Sequence, residues 1–179
     1  MLQLLIKFKF LLVLPSLIFI SPTQNSHFSD PGNDFIAMEF LGFSNHIYKV
    51  VVTNKNIVGI EVNGYIAVEN PFDIGTTIEI SQRNDPSAYI NKQMENVYQN
   101  VDLDNDDIFS INPRNFRIAF SDVKSAYLSP KKQWGMGSYP YSGRLIIKTR
   151  KTVENKKKRK TLILIGDQNS KEVLNYIKI

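Results

Sequence analysis

The sequence predicts a small, mainly β domain: an antiparallel barrel or sandwich of about seven strands whose open end is covered by one C-terminal helix. Three observations lead there. Short β-branched and aromatic runs alternate with turn-forming residues and have no long helices between them. Residues 169–179 form an amphipathic helix pattern with its own N-cap. The chain's 179 residues, 42% hydrophobic and 22% charged, suit one packed domain with appendages better than two cores.

Residues 1–30 stand apart as a hydrophobic segment and linker, leaving 31–179 as the domain. Lys7 and Lys9 precede an apolar stretch, Phe10 to Ile20, broken only by Pro15 and Ser16, which is the layout of a signal peptide. No A-x-A-like cleavage pair follows, and a span over Leu2–Ile20 would enclose both lysines. A cleaved leader, an anchor and a misassigned start therefore all stay open, with membrane association as the expectation. The polar SPTQNSHFSDPGND is the linker.

The first strands are DFIAMEFLGF (34–43) and IYKVVVT (47–53). Asn54-Lys55 separates the second from NIVGIEV, and Asn63-Gly64, a strong hairpin signal, separates NIVGIEV from YIAVEN; this predicts a three-strand meander over 47–69. Residues 69–107 carry nine acids against Arg83 and Lys92, a net −7, and read as a peripheral helical insertion. Within it TTIEI (76–80) suits a strand. PSAYINKQMENVYQN (86–100) suits a helix, with Pro86 in the first turn and Tyr89, Ile90, Met94, Val97 and Tyr98 at helical spacing. FRIAFS, VKSAYLS, GRLIIKTR and TLILIG supply four more strands. The closing helix should start at the Asn169 cap, with Glu172 three residues on, and bury Leu174 and Ile177 with Val173.

Charge is concentrated. Residues 144–160 hold nine basic groups against Glu154, a net +8 that exceeds the +5 of the whole chain. Alternation puts Leu145, Ile147 and Thr149 on a core face and Arg144, Lys148 and Arg150 on the opposite one. A turn near Glu154-Asn155 brings Lys156–Lys160 back beside Lys148–Lys151. The expected anionic-surface contact is Lys148, Arg150, Lys151, Lys156, Lys157, Lys158, Arg159 and Lys160. Trp134, in the aromatic loop 131–143, is either an apolar anchor beside it or a cover for the barrel end.

The absence of cysteine excludes disulfides, zinc–cysteine sites and thiol nucleophiles. His27 falls in the linker and His46 in an expected turn, where a solvated imidazole is the simplest reading. Asp102, Asp104 and Asp106 alternate like a calcium loop, but Asp107 stands where glycine is needed and Pro113 where the bidentate glutamate belongs, which leaves a solvated acidic turn. No G-x-S-x-G elbow is present. No catalytic residue, metal or cofactor is assigned.

YKVVVTNKNIVGIEV (48–62), FRIAFSDVKSAYLSPKK (116–132), GRLIIKTR (143–150) and LILIGDQNSKEVLNYI (162–177) together resemble the bacterial and archaeal pleckstrin-homology-like (PH-like) domain proteins. The resemblance implies a seven-stranded bent sheet capped by a C-terminal helix, used to bind membranes or proteins and usually without enzymatic activity. Lipid-binding members of the wider superfamily often carry their basic residues in the first strand-to-strand loop. Here they lie in the last hairpin, so phosphoinositide specificity does not carry over. The functional expectation is a non-enzymatic module that docks on an anionic lipid surface or a protein partner. The alternative is a nucleic-acid-binding domain using hairpin 144–160, weakened because that segment has no aromatic residue for stacking.

Overall fold

The computed structural model describes residues 33–41, 44–67, 75–131, 139–153 and 157–177, without the side chains of 151–153 and 157. In chain order they form β1 (Asp34–Phe40), β2 (Asn45–Val52), β3 (Asn56–Asn63), β4 (Ile66–Ala67), β5 (Thr76–Thr77), α1 (Lys92–Asn96), α2 (Asp107–Ile111), β6 (Phe116–Ala119), β7 (Val123–Ser129), β8 (Tyr141–Val153), β9 (Lys157–Ile165) and α3 (Ser170–Tyr176). Seven strands make one antiparallel sheet in the order β6-β3-β2-β1-β9-β8-β7, and β4 and β5 pair in parallel beside it.

This order forces curvature. The edge strands β6 and β7 are consecutive in the chain, separated only by the 3-10 turn Phe120–Asp122. A flat seven-strand sheet would hold its edges roughly 29 Å apart. The four Cα steps from Ala119 to Val123 reach at most about 14 Å. The sheet therefore bends back on itself and acquires an inner and an outer face.

Both faces are buried. Phe35, Ala37, Tyr48, Val50, Val52, Ile57, Phe116, Leu145, Ile147, Leu162 and Leu164 line the inner face, where Val173 and Ile177 of α3 pack. Asn169 accepts from the Glu172 N–H at 3.3 Å, as a helix N-cap should, while the Glu172 carboxylate takes the Tyr176 hydroxyl at 2.8 Å. The apolar stripe is Val173 and Ile177; Leu174, expected inside, is only half-buried.

The outer face overturns the idea of a peripheral insertion. Ile36, Met38, Ile47, Val51, Val58, Ile60, Val62, Ile163 and Ile165 form one core with Ile78, Tyr89, Tyr98 and Leu103 of the insertion and Ile108 of α2. A net charge of −7 concealed this, because Ile78, Tyr89, Tyr98 and Leu103 face the sheet while most of the described charges, with Ile80 and Val97, face solvent.

Buried asparagines complete the join, and they explain two further departures. Beyond Gly59, which pairs with Phe116, the free edge of β3 is finished by the turn before β6 and by the insertion: Glu61 N–H donates to Asn115 Oδ1 at 2.8 Å, and Asn91 N–H donates to the Val62 carbonyl at 2.8 Å. No edge is left for the hairpin expected after Asn63-Gly64. Ile66 is instead gripped by the Asn45 side chain, which takes its N–H at 2.8 Å and gives to its carbonyl at 2.9 Å, and the chain turns away to pair with Thr76. Because the Asn91 N–H belongs to β3, the helix expected over 86–100 breaks there. It becomes a 3-10 turn, Pro86–Tyr89, capped by Asp85, and then α1, capped by the Asn91 side chain.

A charged network locks α1 down. Lys49 on β2 reaches Glu95 at 3.0 Å and Asp34 at 3.1 Å, and Lys92 reaches the other Glu95 oxygen at 2.8 Å. Burial pushes the Glu95 carboxyl up, but the hydrogen bonds and charges of Lys92 and Lys49 outweigh it and hold the group below its ordinary value of 4.5.

Three outcomes are expected. Replacing 69–107 by a Gly/Ser linker should abolish cooperative thermal unfolding, since it uncovers the outer core. Tyr98→Ala should cost about 3–5 kcal/mol in urea denaturation, the range for a buried large aromatic, against a smaller loss for Leu174→Ala. A carboxyl lowered on folding stabilises above its unfolded value and loses that contribution as pH falls through the folded one. Wild type should thus lose more stability than Glu95→Gln between pH 6 and pH 3, by roughly the pKa difference at 1.36 kcal/mol per unit, reduced for partial solvent screening.

Candidate functional site

β8 and β9 form an arm that outreaches the sheet. β7 accompanies β8 only as far as the Val123–Thr149 pair, so beyond it β8 has β9 alone for about 13 Å. The ladder then slips: Lys148 pairs with Arg159 but Val153 with Lys157, so residues 149–152 face Lys158 alone. Such a bulge sharpens the twist and turns neighbouring side chains outward. Lys148, Arg150, Lys158 and Arg159 are exposed. Lys148 stands 5.4 Å from the ring centroid of Tyr127 on β7, and the Arg150 guanidinium donates to the Ser121 carbonyl at 3.1 Å. No described carboxylate lies within ion-pair distance of these four cations. Leu145, Ile147 and Thr149 face inward as the alternation predicts. Lys151 and Lys157 lie in β8 and β9, their side chains outside the described set; Lys156, the Glu154-Asn155 turn and Trp134 lie outside the described residues.

Lys160 does not belong to this surface. It pairs with Ile147, so it shares the inner face with Leu162 and Leu164 and is only 4% exposed. Its ammonium meets Glu39 Oε2 at 2.8 Å and lies 4.1 Å from the Phe116 and 5.2 Å from the Tyr48 ring centroid. Room for this stack comes from Gly59: a Cβ there would fall 2.0 Å from the Phe116 ring. Phe116 and Tyr48 meet edge to face at 5.3 Å.

His46 is not in a solvated turn either. It lies in β2, opposite Glu39, with Nδ1 2.7 Å from Oε1 of Glu61, which is 1% exposed. The other Glu61 oxygen accepts from Asn112 at 2.6 Å and lies 3.7 Å from Arg114. Glu39, His46, Glu61 and Lys160 thus bring polar groups from four strands to one end of the inner face, each with a partner, and the Lys160–Glu39 pair balances charge inside the bend. Among the described residues no group of three or more His, Asp or Glu could hold a metal.

Asp104 accepts from the Thr53 hydroxyl at 2.9 Å and the Asn56 amide at 2.6 Å, and Asp106 pairs with Arg117. The acidic turn is a strap tying the insertion to the β2–β3 turn.

Sequence reasoning missed the inner cluster and the aromatic beside the arm. Glu39 and Glu61 do leave a signal, each a charge set among apolar strand residues. Tyr127 leaves none, since only the β7–β8 register brings it to Lys148. Comparisons with family models, curated proteins and solved structures find no match.

Glu39→Ala should cost about 3–5 kcal/mol by removing the carboxylate that faces the buried Lys160 ammonium, whereas Glu39→Leu combined with Lys160→Met should be near neutral, as for other buried pairs replaced by apolar residues. A urea double-mutant cycle checks this, and additive losses would show that the two groups do not act as a pair.

Proposed function

We propose that the chain is a non-enzymatic binding module on a PH-like fold that docks on an anionic membrane through the β8–β9 arm. The strand arrangement supports the PH-like reading: β1, β2, β3 and β6 form one meander, β7, β8 and β9 a second that pairs back onto β1, and a single C-terminal helix packs in the bend. The observation that carries the function is the arm itself, four exposed cations without a described acid beside them on a ribbon that extends past its neighbouring strand. Each lysine or arginine near an anionic leaflet contributes about 1 kcal/mol, within a Debye length of about 8–10 Å. The hydrophobic segment within residues 1–20 is the proposed tether. Among the described residues no helix is long and apolar enough to cross a membrane.

A second reading, binding of single-stranded nucleic acid, is favoured by Tyr127, which brings to the arm the aromatic ring that 144–160 lacks.

To test the first, Arg150, Lys151, Lys157 and Lys158 are changed to serine in the full chain, with Lys160 spared because it is buried. Sedimentation with phosphatidylserine–phosphatidylcholine vesicles across a salt series should show weaker binding and a shallower salt dependence for the variant. Equal, salt-independent binding of variant and parent would refute the assignment. A parent that retains oligonucleotides but not vesicles would decide for the second reading.

A further inference from the structure

The geometry points to the outer face of β7, β8 and β9, with Tyr127 on its edge strand, as the side that lies flat on an anionic bilayer; the inference rests on the membrane reading and specifies the docking face. Register puts Ser125, Lys148 and Arg159 in one row across the three strands, and Tyr127, Ile146 and Thr161 in the next row on the same side. Ile146 is buried yet belongs to neither core, so its cover comes from this surface rather than from the domain interior. The insertion's core on the outer side takes in Ile163 and Ile165 of β9 and no residue of β7.

Charge then fixes the orientation. In a bent sheet the outer faces of the two halves point away from each other. The insertion, net −7 by sequence, covers β1, β2, β3 and the Ile163–Ile165 end of β9, with Tyr141 of β8 at its margin, while Lys148 and Arg159 mark the other end of β8 and β9 beside β7. Laying that end on an anionic surface holds the acidic insertion off it, which a tip-first approach does less well. Tyr127, 39% exposed and beside the Lys148 ammonium, is an amphipathic ring suited to the headgroup layer, with the cations level with the lipid phosphates.

The chain has no cysteine, so Ser125→Cys creates a single labelling position on this face, and Gln93→Cys on the exposed side of α1 serves as control. Each full-length variant, its fold checked by circular dichroism, carries an environment-sensitive fluorophore and is added to phosphatidylserine–phosphatidylcholine vesicles or to phosphatidylcholine alone. The label at 125 should shift to the blue and escape aqueous iodide on the mixed vesicles, while the label at 93 stays quenchable. Lys148→Ser and Arg159→Ser should each lower partitioning about fivefold. Tyr127→Ala should lower it as well, with recovery in Tyr127→Trp. A vesicle-bound protein whose label at 125 remains open to iodide would overturn face-on docking while leaving the arm as the contact. Equal binding to both vesicle types would instead overturn the anionic-surface reading, binding to neither would overturn the membrane reading as a whole, and protection of the label by an oligonucleotide alone would assign this face to nucleic acid.

Discussion

Three residues between the edge strands set the shape of this protein. Phe120–Asp122 cannot span a flat sheet, so closing the chain there divides every strand into an inner and an outer side. Each side then needs its own cover. On the inside the neighbouring strands supply it, with α3 packed against them. On the outside of β1, β2 and β3 the insertion supplies it, with Tyr89 and Tyr98 as its largest contributions. The asparagines belong to the same constraint. A loop laid across strands carries backbone groups that must be satisfied away from water, and Asn45, Asn91 and Asn115 satisfy them where strand pairing stops.

The basic run shows how finely the bend sorts charge. Arg159 and Lys160 are adjacent in sequence, yet the side-chain period of two sends one to solvent and the other between two aromatic rings. Desolvating an ammonium is expensive. The Glu39 carboxylate and the faces of Phe116 and Tyr48 offset that cost, and Gly59 leaves the space for Phe116 to take part. An inner face with charge at one end and aliphatic residues along its length also fixes register, because a slip by one residue would put Thr161 or Arg159 in the place of Lys160.

Strand positions, the closing helix and the alternation of β8 were legible in the sequence, since each depends on local spacing. The second core was less so, although uninterrupted runs such as VVV and LILI already implied strands buried on both sides. What remained hidden depended on register. Lys160 looks like any other lysine of its run until it is set against Ile147, and the Asn63-Gly64 turn looks like a hairpin until the edge of β3 is seen to be occupied. His46 and Glu61 are fifteen residues apart and meet only because β2 and β3 are neighbours.

Opposite charges occupy different parts of the fold, and they are not equally available. Some acids of the insertion are engaged internally: Glu95 by Lys49 and Lys92, Asp104 by Thr53 and Asn56, Asp106 by Arg117. Hydrogen bonding and ion pairing of that kind weaken the field a carboxylate projects into solvent. The exposed cations of the arm have no described acid within ion-pair distance to do the same. The field beyond the molecule is therefore basic on the arm side and acidic over the exposed acids of the insertion. Self-repulsion in the arm costs stability that internal pairing in the insertion does not, and a binding partner of opposite charge would relieve it.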